Sequence, residues 1–167
     1  MYNKSIIFRK SDGGKIKIDV YALQKIMKYL QDDQEKCEAG GVLLGRYIID
    51  SSDIVVDDIT TPMKNDTRQR CFFLKQKKYH QKVVTEKWIK SKGTCNYLGE
   101  WHTHPEPIPT PSYIDISEWK RLLKENKFDS QYLYFIIAGT EKLRIWEGNK
   151  SSLSIILLEQ IVNKGEE

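Results

Sequence analysis

Short apolar runs of period two, interrupted by stripes of helical period, organise this chain. Residues 5–9 (SIIFR) and 15–20 (KIKIDV) read as two short strands, and Asp12-Gly13-Gly14 between them supplies residue types that tolerate positive φ. Leu23, Ile26, Met27 and Leu30 then recur at i, i+3, i+4 and i+7, one apolar face of a helix. The glycine-rich apolar segment 37–49 (CEAGGVLLGRYII) reads as a buried strand with 53–61 as its antiparallel neighbour. A polar loop around 62–67 leads to a strand at 71–74 and a helix over 76–91 carrying Val83, Val84 and Trp88. A strand over 95–104, a proline-rich loop and a helix starting near Ser112, with Ile116, Trp119 and Leu123 on one face, come next. Three strands near 131–138, 142–147 and 153–158 close the pattern. Strands and helices interleave without strict alternation, which predicts an α/β fold: a mixed sheet with helices packed against it.

A length of 167 residues with no repeat or long linker predicts one domain over 1–167. With 40% apolar and 30% charged residues the chain has the balance of an ordinary globular protein, which excludes a disordered one. A net charge of +4 is too small a bias to call for a nucleic-acid or membrane partner. Cys37, Cys71 and Cys95 are odd in number, far apart and without a CxxC pair, which argues against a disulfide framework and a Cys-rich zinc knuckle. Ile6, Ile7 and Phe8 are too short an apolar run for a secretory signal, so the expected location is the cytoplasm.

The candidate chemistry lies in residues 100–115, EWHTHPEPIPTPSYID. On a strand, residues i and i+2 share a face, so His102 and His104 aim both imidazoles at one point, as a pair of zinc ligands would. Pro105, Pro107, Pro109 and Pro111 stiffen the following stretch, which can swing out and return Ser112 and Asp115 to the same place. Asp115 as a third ligand leaves a fourth tetrahedral position for water, the arrangement of a catalytic site. Each feature also has a plain reading. A His-x-His pair alone is weak evidence, Ser112 and Asp115 fit a helix capping box, and the prolines suit a docking ligand or rigid connector.

Taken with Glu38, these features converge. The string EAGGVLLG at 38–45, then HTHP at 102–105, then Ser112 and Asp115, with ten residues between His104 and Asp115, resembles the JAMM (MPN-plus) family of zinc isopeptidases. That resemblance implies a curved mixed sheet flanked by helices, like that of cytidine deaminases. It implies one Zn²⁺ held by His102, His104 and Asp115. Glu38 would take a proton from the attacking water and pass it to the leaving amine, and Ser112 would donate to the oxyanion. The implied reaction is cleavage after the C-terminal tail of a ubiquitin-like modifier or conjugate. In length and in its WHTHPxPxPxPSxxD stretch, the chain is most similar to the bacterial JAMM peptidases of CBASS antiphage operons, whose role is deconjugating a nucleotidyltransferase (CD-NTase). A non-catalytic MPN scaffold and a RadC-like DNA-associated protein are the alternatives. Retention of every metal ligand argues against the first, and Thr103 in place of Asn against the second.

Other chemistry-bearing residues take plainer roles. Glu35 stands one helical turn before Glu38 as a rival carboxylate. Glu100 reads as a solvated strand-end charge, although its parity with both histidines would let it orient them. Trp101 and Thr103 point to the opposite face as packing residues. His80 is expected to be structural or solvent-facing, Cys37 small and buried, and the seven Lys between 75 and 92 a solvated helix face.

Overall fold

A computed structural model describes residues 2–125 and 129–162, so the termini of the expected 1–167 domain lie outside the described residues. In chain order the elements are β1 (Ile6–Arg9), β2 (Lys15–Ile18), α1 (Val20–Met27), β3 (Gly40–Tyr47) and β4 (Ile54–Ile59). A small hairpin follows, β5 (Thr67–Gln69) and β6 (Phe72–Leu74), then α2 (Lys77–Lys90), β7 (Asn96–Thr103) and α3 (Tyr113–Glu125). The last elements are β8 (Tyr132–Ala138), β9 (Leu143–Asn149), β10 (Ile155–Leu157) and β11 (Glu159–Gln160). Among the described residues nine strands form one mixed sheet in the order β10-β9-β8-β7-β3-β4-β2-β1-β11, parallel there only at β7–β8 and β2–β4. This is the α/β architecture that the interleaved pattern predicts.

Alternation along β8 shows how the layers are made. Tyr134, Ile136 and Ala138 pack with Leu23 and Ile26 of α1 on one face of the sheet, while Leu133, Phe135 and Ile137 pack with Trp119 and Leu123 of α3 on the other. On the α3 side α2 adds Val84, which meets Val42 and Leu44 of β3. The sheet is therefore sandwiched between α1 and the pair α2 and α3.

Several boundaries differ from the sequence pattern for identifiable reasons. Asp19 ends β2 early because its side chain accepts the Tyr21 N–H as the N-cap of α1. The expected strand from Cys37 starts only at Gly40, because the Glu38 N–H donates to Gln69 of the hairpin instead of to the main sheet. β5 lies in what reads as a polar loop, and Thr67-Arg68-Gln69 carries no apolar alternation to reveal it. Trp88 is 52% exposed, so Val84 alone represents the apolar face of α2 in the core.

One irregularity sets the geometry of β7. Its register against β3 shifts between Leu43 and Leu44, where Gly99 adopts φ +144°. A Cβ there would lie 1.8 Å from the Tyr134 carbonyl oxygen, so only glycine fits this bulge. Beyond it Trp101 and Thr103 turn into the α1 side, where both are at most 1% exposed, and His102 turns toward α3.

Candidate active site

β3 and β7 are antiparallel neighbours with Gly40 opposite His102, which brings the residues just before β3 beside the end of β7. Glu38 therefore reaches the imidazoles from across the sheet. The ligand atoms of Glu38, His102 and His104 all lie within 4.8 Å of one another. His102 is the penultimate residue of β7, and His104 follows the strand with its N–H donating to Ala138 of β8. Their Nε2 atoms are 3.1 Å apart.

The proline loop returns Asp115 to that point. Its Oδ1 lies 3.2 Å from His102 Nε2 and its Oδ2 3.3 Å from His104 Nε2. Ser112 and Asp115 form a reciprocal cap at the start of α3: Asp115 N–H donates to Ser112 Oγ, and Ser112 N–H donates to Asp115 Oδ2. The Ser112 hydroxyl also donates to Asp115 Oδ2, at 2.8 Å. The structure thus brings Glu38, His102, His104, Ser112 and Asp115 into one cluster.

These residues fit a divalent metal. Donors about 2.1 Å from a tetrahedral ion stand about 3.4 Å apart. The two imidazole nitrogens stand 3.1 Å apart, and the Asp115 carboxylate faces one with each oxygen, Oδ1 at 3.2 Å from His102 and Oδ2 at 3.3 Å from His104. Two imidazole nitrogens and one carboxylate oxygen are also a donor set found in catalytic zinc sites.

The two carboxylates have opposite electrostatics. Burial pushes Asp115 up, but hydrogen bonds from His102, His104 and the Ser112 N–H outweigh it and hold the carboxyl far below the ordinary carboxylate range. Burial pushes Glu38 up, and the imidazoles only partly offset that effect. Glu38 is 7% exposed, and among the described residues its carboxylate has no hydrogen-bond or ion-pair partner. One carboxylate is held ionised against the imidazoles, and the other has greater proton affinity and a free edge. Burial pushes His104 down, but Asp115 and then Glu38 outweigh it and raise it.

A groove of about 980 Å³ opens onto this cluster between α2 and α3. Its floor includes Tyr97, Glu100 and His102 of β7, one wall Phe72 and Leu74 of β6, and the other Ile114 of α3. Glu100 corrects its sequence reading. It is half-buried in this groove, with Lys75 Nζ 2.7 Å from its Oε1, so it neither trails into solvent nor bonds an imidazole.

His80 is 1% exposed and structural: Thr60 Oγ1 sits 2.7 Å from its Nδ1 and Asp66 Oδ2 2.8 Å from its Nε2, tying α2 to the end of β4. Cys37 is half-buried, not buried as expected. Of the lysines read as a solvated face, Lys75 and Lys87 instead pair with Glu100 and Asp58. Sequence reasoning missed Arg68, whose Nε donates to the Glu38 carbonyl at 2.9 Å, and Gln31, whose amide lies behind the histidine strand. A buried glutamine after a helix carries no sequence signal of its own.

A family profile of prokaryotic homologs of the JAB domain matches residues 20–148. A Pseudomonas aeruginosa protein named CD-NTase/cGAS isopeptidase is 36% identical over 123 residues, covering 74% of this chain and 76% of that protein. A Vibrio cholerae protein of the same name is 32% identical over 161 residues, covering 96% of this chain and 98% of that one. Among solved structures, a Desulfitobacterium hafniense protein matches the fold with TM-score 0.57 at 18% identity, covering 84% of this chain and 87% of that one.

Proposed function

We propose, from the premise that this chain belongs to the prokaryotic JAB-domain family, that it is a zinc-dependent isopeptidase of the JAMM type. The observation that carries this reading is the convergence of His102 Nε2 and His104 Nε2, 3.1 Å apart, on the Asp115 carboxylate, whose Oδ1 and Oδ2 each meet one imidazole, with the Glu38 carboxylate beside them and a groove opening onto the cluster. His102, His104 and Asp115 would hold the metal. Zinc at such a site supplies Lewis-acid activation of a water, bringing its pKa toward 7.

The chain's own residues do the rest. Glu38, whose carboxylate is raised by burial, accepts a proton from the attacking water and later delivers it to the departing amine as the amide C–N bond breaks. The Ser112 hydroxyl turns its proton from Asp115 Oδ2 to the developing oxyanion, while its lone pair keeps the Asp115 N–H and with it the start of α3. The groove between α2 and α3 holds the extended C-terminal tail on the acyl side of the scissile bond.

The substrate is the bond joining a ubiquitin-like modifier, or a protein conjugated as one, to its target. The two relatives above carry the name CD-NTase/cGAS isopeptidase, which supports a conjugated CD-NTase as the protein released, in a cytoplasmic CBASS antiphage system. One catalytic domain over 1–167 performs this role, with no membrane partner and no nucleic acid. No helix among the described residues is long and apolar enough to cross a membrane.

The test is to incubate zinc-loaded protein with a CD-NTase linked through its C-terminus to a lysine side chain and to follow release by intact mass. The expected result is the free C-terminus and the free lysine, abolished by a chelator and restored by zinc. Release that persists in the metal-free protein overturns the reading.

A further inference from the structure

Ala39 and Thr103 form the last rung joining β3 to β7, and Glu38 is the first residue beyond it. The Thr103 N–H donates to the Ala39 carbonyl at 2.9 Å. The Ala39 N–H does not find a ladder carbonyl; it donates to Thr103 Oγ1 at 3.0 Å. A side-chain hydroxyl therefore completes the rung that places Glu38 opposite His102 and His104. The Glu38 backbone itself has already left the main sheet, its N–H donating to Gln69 and its carbonyl accepting from Arg68. Rungs at strand ends are the first to open, so this one sets how well Glu38 is placed.

The hydroxyl can do this only if its proton points away from Ala39, and Gln31 sees to that. Gln31 is 2% exposed and Thr103 0%. Gln31 Nε2 donates to the Lys36 carbonyl at 3.2 Å and the Arg70 carbonyl at 2.7 Å. Both partners can only accept, so the amide has one possible orientation, and its Oε1 must face Thr103. Thr103 Oγ1 donates to that oxygen at 3.0 Å, leaving its lone pairs for Ala39. The same amide ties the Lys36 segment and the turn of the β5–β6 hairpin to the histidine strand.

We propose that Gln31 is a positioning residue for Glu38, acting through the Thr103 hydroxyl on Ala39. This rests on the hydrolase reading above, in which Glu38 carries the proton. Gln31 touches neither substrate nor metal. It holds the proton carrier in register with the imidazoles, and small losses of register at such a group cost rate and not binding.

The experiment compares Gln31→Met, Thr103→Val, their double variant and Thr103→Ser, using zinc-loaded protein for kinetics and metal-free protein for amide exchange. The expected result is a fall in kcat on the order of 10- to 10²-fold for Gln31→Met and Thr103→Val, with KM and zinc content unchanged. The double variant should be no slower than the slower single variant, because both break one relay. Thr103→Ser keeps the hydroxyl and should stay near wild type. In the metal-free protein, hydrogen exchange at Ala39 should speed up in Gln31→Met and Thr103→Val and stay slow in Thr103→Ser.

Unchanged kcat in folded variants, losses that multiply in the double variant, loss of zinc, or unchanged Ala39 exchange would each overturn the proposal. A wild-type protein that hydrolyses no conjugate, while Ala39 exchange still answers to Gln31→Met, overturns the hydrolase reading and leaves the positional link in place.

Discussion

Gly139→Ala strikes the site from 24 residues downstream of Asp115. Gly139 begins the turn between β8 and β9, and the proline loop lies against it. The Thr140 N–H donates to the Glu106 carbonyl at 2.8 Å, and the Glu141 and Lys142 N–H groups donate to the Pro107 carbonyl at 3.1 and 2.9 Å. A Cβ on residue 139 would sit 2.5 Å from the Glu106 oxygen, 2.7 Å from Pro109 Cδ and 2.8 Å from the Pro107 oxygen. All three are backbone or ring atoms with no rotamer to escape into, so the loop must retreat by about 0.5 Å or more.

That loop carries the chain from His104 to Ser112 and Asp115, so the displacement is expected to reach the proposed metal ligands. Overpacking of this kind costs about 1–3 kcal/mol, or roughly 3–10 °C in Tm for a chain of this length. A shift approaching 1 Å at a catalytic group costs up to about 10²-fold in rate. Gly148→Ala is the control, since the nearest atom to its added Cβ is Leu123 Cδ1 at 2.8 Å, the far end of a flexible side chain in the α3 core. The assay measures Tm, zinc content and turnover for both variants. Gly139→Ala should lose zinc affinity and turnover beyond its loss of Tm, whereas Gly148→Ala should lose Tm alone. Equal zinc content and turnover in the two would refute the claim that the proline loop sets the position of Asp115.

Other outcomes follow from the same geometry. Glu38→Gln should abolish cleavage, read by intact mass, while zinc content stays at one per chain. His102→Ala or Asp115→Ala should remove the metal, read by elemental analysis of the purified variant. Ser112→Ala should slow turnover on the order of 10²-fold through the lost oxyanion donor and cost about 1 kcal/mol as a lost N-cap, the second read by thermal denaturation. Asp58 is raised by burial, but hydrogen bonds from Lys25 and Lys87 outweigh this and hold it below its ordinary value of 3.8. Its contribution to stability is therefore present above about pH 4 and is lost as pH falls through the lower folded value. Denaturant titrations from pH 6 to pH 2 should show a shallower acid decline in Asp58→Asn than in wild type.

The local part of the site was legible in the sequence because local rules govern it. Strand parity puts His102 and Glu100 on one face and Trp101 and Thr103 on the other, and the Ser112–Asp115 spacing is that of a capping box. Parity could not supply partners. Glu100 meets Lys75, which approaches from 25 residues upstream, and nothing in the string EWHTH encodes that. His80 sits among lysines on a helix with little apolar stripe, so its burial depends on Thr60 and Asp66, residues outside that helix. The β5–β6 hairpin is built partly from polar residues that take strand geometry by pairing with each other, and it draws Glu38 out of the main sheet. The bulge at Gly99 is equally a tertiary feature, set by the Tyr134 carbonyl on the neighbouring strand.

An anomalous difference map at the zinc edge, from crystals grown with the metal, addresses the site itself. One peak is expected, within about 2.1 Å of His102 Nε2, His104 Nε2 and an Asp115 oxygen, with the Glu38 carboxylate outside bonding distance. A peak elsewhere, or one that Glu38 closes as a fourth protein ligand, would contradict the hydrolase reading.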